Sequence, residues 1–141
     1  MNLRAWCGLF LLGALAVVGT GCTQAEAPRA EEPAWGKEAC GHCSMLVTEQ
    51  HPAGQAVLSD GTRRYYDDVG CMALEFDREK APARAAWVND GHGGWTPLES
   101  ARFAPGQRTP MDFGFLASPA GSATFVQVQQ AARAKAKGGQ P

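Results

Sequence analysis

A short positive start, Met1 to Arg4, runs into an almost unbroken apolar stretch from Ala5 to Val18, and that stretch sets the size of everything after it. At about 14 residues it makes a helix of about 21 Å, short of the ~20 residues that span a bilayer. It reads as the core of a signal peptide rather than as a permanent span. Gly19, Thr20 and Gly21 then lead into Cys22, and small residues ahead of a cysteine resemble the lipobox, where bacterial signal peptidase cuts and the new N-terminal cysteine is acylated. Gly19 stands where leucine is usual in that motif. The rival reading is an ordinary signal peptide with Cys22 an incidental thiol. More than one acyl chain matters, because a single chain anchors only marginally. The expectation is a signal peptide over 1–21, lipidation of Cys22, and a domain facing the periplasm or the cell exterior. Thr23 in place of an aspartate favours the outer membrane.

Residues 22–141 suffice for one ordinary domain or two very small ones. Once Arg4 leaves with the signal, the 13 Lys and Arg fall to 12, against 14 Asp and Glu. That balance argues against a nucleic-acid surface. Arg133, Lys135 and Lys137 close an Ala-rich stretch, where they oppose a helix dipole and read as a solvated end.

Cysteine arithmetic is more telling. With Cys7 lost and Cys22 lipidated, Cys40, Cys43 and Cys71 remain. Three thiols form at most one internal disulfide, and a spare thiol in an exported protein points to metal or redox chemistry.

Residues 22–37, rich in Ala, Glu and Pro, lack hydrophobic periodicity and read as a flexible lipidated tether. The domain is expected over 38–135, with a disordered tail over 136–141. Gln55 to Ser59, the turn Asp60-Gly61, and Thr62 to Tyr66 form a β-hairpin pattern. Asp67 or Asp68 caps a helix in which Val69, Met72, Ala73 and Phe76 share one face. After Pro82 come Ala86 to Asn89, a turn from Asp90, a return strand at Trp95 to Leu98, and Ala101 to Phe103. Thr109 to Ala117 follows, and the final stretch from Ala123 to Lys135 is helical toward its end, its start being equally compatible with a strand.

The densest chemistry is Cys40-Gly-His42-Cys43-Ser-Met45. On an extended segment Cys43 and Met45 point to one face about 6.5 Å apart and can share an ion. Thioether donors select soft ions, which favours Cu(I). Met72 sits on the apolar helix face and suits the core as well as a metal. Cys71 is open to core, disulfide or ligand roles. Met111, stiffened by Pro110, is open to core and ligand roles, and His42 to a solvated or a ligating one. His51 and His92 read as surface residues. A redox CxxC should open a helix after a strand, whereas Met45 to Thr48 continues as a strand. A zinc site needs a second pair, and only Cys71 is available.

Taken together, the lipoprotein start, Cys40-Gly-His-Cys43-Ser-Met45, the Gln55 strand, Tyr66-Asp-Asp-Val-Gly-Cys-Met72, Trp87-Val-Asn-Asp90 and Thr109-Pro-Met111-Asp-Phe-Gly-Phe-Leu-Ala117 resemble the NosL family, copper-binding lipoproteins of nitrous-oxide reductase maturation. The likeness spans most of residues 22–141. Ser44 and Asp112 replace glycines usual there. The resemblance implies a small α+β domain of two ββαβ units: a monomeric, non-catalytic Cu(I) carrier that hands copper to the reductase assembly machinery or another copper-accepting protein. Carried over, its ligands are Cys43, Met45 and Met111, with Cys40, His42 and Met72 as further contributors. The competing function is a thiol-disulfide redox lipoprotein using Cys40 and Cys43. A third is a plain binding module for another exported protein.

Overall fold

The computed structural model describes residues 26–78 and 83–138. The expected signal peptide, the lipobox and Cys22 lie outside the described residues. No helix among those described is long and apolar enough to cross a membrane.

The chain is α+β. Strands β1 (Gly54–Val57) and β2 (Arg63–Tyr66) form the expected hairpin. Gly61 supplies the left-handed turn conformation (φ 88°), and the Asp60 carboxylate accepts the Thr62 N–H at 2.8 Å. Helix α1 (Val69–Arg78) follows, then β3 (Ala85–Asn89) and β4 (Trp95–Pro97). All four strands pair antiparallel in the order β2-β1-β3-β4. A second, two-stranded sheet joins β5 (Phe103–Pro105) to β6 (Phe115–Ala117), and α2 (Phe125–Gly138) ends the described chain against α1. The first half is thus a ββαβ unit extended by β4. The second is ββα, since the stretch that was also compatible with a strand, Thr124 to Val128, enters the helix. That helix runs to Gly138, beyond the expected boundary at residue 135.

Period-two alternation explains why β1 is buried throughout. Gly54 and Ala56 share the face toward α1 with Tyr66 and Val88, the register partners of Gly54. The Met72 sulfur lies so close over Gly54 that a Cβ there would stand 3.0 Å from it, so Met72 is core. Gln55 faces the other way, with Tyr65 and Trp87. Its buried amide exchanges bonds with Glu31, receiving the Glu31 N–H at 3.0 Å and donating to the Glu31 carbonyl at 2.8 Å. Arg63 clasps the Glu31 carboxylate at 2.8 Å, and Trp35 stacks on Trp95 at 6.5 Å between ring centres. Residues 29–37, expected as free tether, therefore lie along the outer face of the sheet. Sequence periodicity missed them because they dock through single polar and aromatic contacts.

Candidate metal centre

The Cys40–Met45 run closes as a tight turn rather than running on as a strand. Cys40 N–H donates to the Met45 carbonyl (2.7 Å) and Ser44 N–H to the Cys40 carbonyl (3.0 Å), with Ser44 left-handed at φ 65°. The Gly41 N–H hangs the turn on β2 through the Tyr65 carbonyl at 2.8 Å. The extended path expected for Cys43 and Met45 is broken at Ser44. Cys43 stays partly buried against Asp67, while Met45 is 51% exposed.

Two further donors arrive where β2 passes into α1. Asp67 follows the last residue of β2, and Cys71 lies in the first turn of α1, where the helix N-terminus favours anionic groups. The Cys40, Cys43 and Cys71 sulfurs and an Asp67 carboxylate oxygen all lie within 4.8 Å of one another. Donors around a tetrahedral ion bonded at ~2.3 Å sit about 3.8 Å apart, so a modest contraction suits them to a metal ion. The chemistry also fits. Three soft sulfurs gather round a buried carboxylate whose oxygens lie 3.5 and 3.6 Å from the Cys43 thiol, and a cation can replace the shared proton. The cluster can therefore hold a metal ion, and its donor set alone does not select which.

The thiols differ in acidity. The hydrogen bond from Cys71 holds the Cys40 thiol down to about 6, against burial, which works the other way. Donating that bond, together with burial, pushes Cys71 up. Burial pushes Cys43 up to about 11, with the Cys40 and Asp67 charges adding to it. Of the three, Cys40 is the thiol whose surroundings favour the thiolate, through the Cys71 S–H.

Of the residues singled out from sequence, Cys40 and Cys43 belong to this cluster, and Cys71 is its third sulfur. His42 turns away: its Nδ1 lies 3.3 Å from Glu75, a buried acid that also binds Arg64 at 2.7 Å and Arg78 at 2.6 Å. Burial would raise Glu75, but these partners, Arg78 foremost, hold its carboxyl below the usual range. Met111 is drawn toward the first turn of α1 by its backbone. Asp68 caps that helix through the Gly70 N–H (2.8 Å), and its other oxygen accepts from Thr109 Oγ1 (2.5 Å) and the Met111 N–H (3.1 Å). Burial pushes the Asp68 carboxyl up despite these donors. His51 is not a bare surface residue, since its Nε2 lies 2.8 Å from the Ala117 carbonyl.

Asp67 escaped the sequence reading because either aspartate could cap α1. The usable signal was its spacing four residues before Cys71, about one helical turn. A cleft of about 680 Å³, flanked by Met45, Glu49, Arg108 and Asp112, opens beside Asp67, whereas a larger groove of about 770 Å³ near Phe76 and Phe125 touches none of the cluster. No protein family, no curated protein and no solved structure matches the chain.

Proposed function

We propose that this chain is a Cu(I) carrier: an exported lipoprotein of NosL type, anchored through Cys22, that faces the periplasm and passes copper to the nitrous-oxide reductase assembly machinery or another cuproenzyme. The observation that carries the reading is the convergence of three thiols from two segments, with one of them, Cys43, reaching the surface. Thiolate sulfur suits Cu(I), and the thioethers of Met45 and Met111 favour it over harder ions. The family resemblance adds the recipient and rests on the sequence motifs alone.

In this reading Cys40 supplies the thiolate that its surroundings favour. Cys43 gives up its proton as copper arrives, since a thiol binds a metal as the thiolate. Cys71 completes a three-sulfur site, Met111 is the thioether that closes it from the second half, and Met45 is the exposed sulfur an incoming ion meets first. Release is ligand exchange: a recipient's sulfur displaces Cys43, the donor nearest solvent, and low coordination keeps that exchange open. No bond of a substrate is made or broken, so the role is that of a chaperone and not of an enzyme.

The low Cys40 value beside two protonated thiols favours one other reading, a thiol-disulfide protein. Anaerobic Cu(I) titration of the reduced chain against a chelator separates the two. A carrier binds one equivalent, and affinity falls at least about tenfold, ~1.4 kcal/mol, in Cys43→Ser and Cys71→Ser. Wild-type affinity in both folded variants would sink the proposal, and a readily cycled disulfide indifferent to Met111→Ala would move it to redox chemistry.

A further inference from the structure

Three buried acids, Asp67, Asp68 and Glu75, stand just before or within α1, and the surroundings of Asp67 and Glu75 are opposite. Glu75 is surrounded by Arg64, Arg78 and His42. Asp67, 1% exposed, has no cationic partner among the described residues, and its oxygens face the Cys43 thiol. Nor is Asp67 needed as a cap, because Asp68 fills that place and also holds Thr109 and Met111. A buried carboxylate costs several kcal/mol unless a cation compensates it, of order several per ion in real proteins. The three cysteine sulfurs lie within 4.8 Å of its oxygen, and no ion pair among the described residues reaches it.

Cu(I) does not require that oxygen. It is satisfied by two or three soft donors, whereas a four-coordinate d¹⁰ divalent ion takes Cys and carboxylate ligands together in a closed tetrahedral set. We infer that Asp67 gives the cluster a second mode, a four-coordinate site of three sulfurs and one oxygen that takes a divalent ion of the zinc class. Asp67 is then the residue that decides between ions: engaged, it closes the tetrahedron around Zn(II); disengaged, it leaves a three-sulfur site for Cu(I). All three cysteines serve in both modes, so the two ions exclude each other. This inference rests on the cluster being a metal site.

The test uses the full reduced chain under anaerobic conditions, with Co(II) as a spectroscopic probe and Zn(II) as competitor. One equivalent of Co(II) should give intense tetrahedral d–d bands with sulfur-to-metal charge transfer, bleached by Zn(II). X-ray absorption of the Zn(II)-loaded chain should find three sulfurs and one oxygen. Loss of groups that merely orient ligands costs ~10–100-fold in affinity, so Asp67→Asn, which removes a ligand, should cost Zn(II) at least about tenfold and Cu(I) clearly less. Octahedral Co(II), an oxygen-free zinc shell, or equal loss of both ions in Asp67→Asn would overturn the inference. The wild-type spectra decide the matter even if that variant fails to fold. Normal Cu(I) binding without Co(II) binding would overturn this inference alone. Failure of both ions to bind would remove the proposed function with it.

Discussion

Three cysteines identical in composition behave as three different acids, because each meets a different neighbour. Cys40 accepts the Cys71 S–H and is held at about 6, and Cys43 is pushed up to about 11 by burial. Between about pH 6 and the ordinary thiol value of 9.0, the unfolded chain keeps a proton that folded Cys40 has lost, so stability rises with pH. Above 9.0 the sign reverses, since folded Cys43 keeps a proton that the unfolded chain releases. Thermal melting of the reduced, metal-free chain should therefore climb from pH 6 to 9 and then fall. Cys40→Ser should flatten the climb. A pH-independent profile in the unmodified chain would show that no thiol is held low.

At the level of elements, α1 is pinned to the 109–114 loop rather than merely packed near it. A Cβ on Gly70 would stand 2.0 Å from the Phe113 ring, so that ring occupies the space of the missing side chain. Lys135 of α2 reaches the same loop, 2.7 Å from the Asp112 carboxylate, and lies over Phe113. Of the three cations expected to be a solvated end, Lys135 therefore anchors the loop, and Arg133 meets Asp77 of α1 at 3.2 Å. Asp68→Ala removes the cap and both loop bonds and should cost about 2–4 kcal/mol in urea unfolding. Asn caps as well as Asp, so Asp68→Asn should cost less, and the difference between the two variants measures the cap. Equal losses would place the whole effect in the stitch to Thr109 and Met111. The hairpin and α1 were legible because alternation, Asp60-Gly61 and the 3.6-residue stripe agree locally. The turn at Ser44 was not. Its left-handed backbone, shared with Asp112, is carried by a residue other than glycine, and serine there reads equally well as extended chain.

For the molecule as a whole, the cluster joins the Cys40–Cys43 turn to the start of α1, and a metal ion that binds only the folded chain stabilises all of it. At a free concentration one hundred times its dissociation constant, an ion adds about 2.7 kcal/mol. The melting temperature of the reduced chain should rise with Cu(I), and rise less in Cys71→Ser. Pairwise distances of this kind cannot be read from spacing: Cys40 and Cys71 are separated by the whole hairpin, and only its closure brings them together.

The strap formed by residues 29–37 has a consequence for posture. Arg63 already grips the Arg29 carbonyl at 2.7 Å. A lipid on Cys22 would leave only seven peptide links of slack before that grip, at most about 25 Å fully stretched. The domain would then ride its bilayer like a boat on a short mooring, able to swing but not to roam. Any recipient of its cargo would have to come alongside.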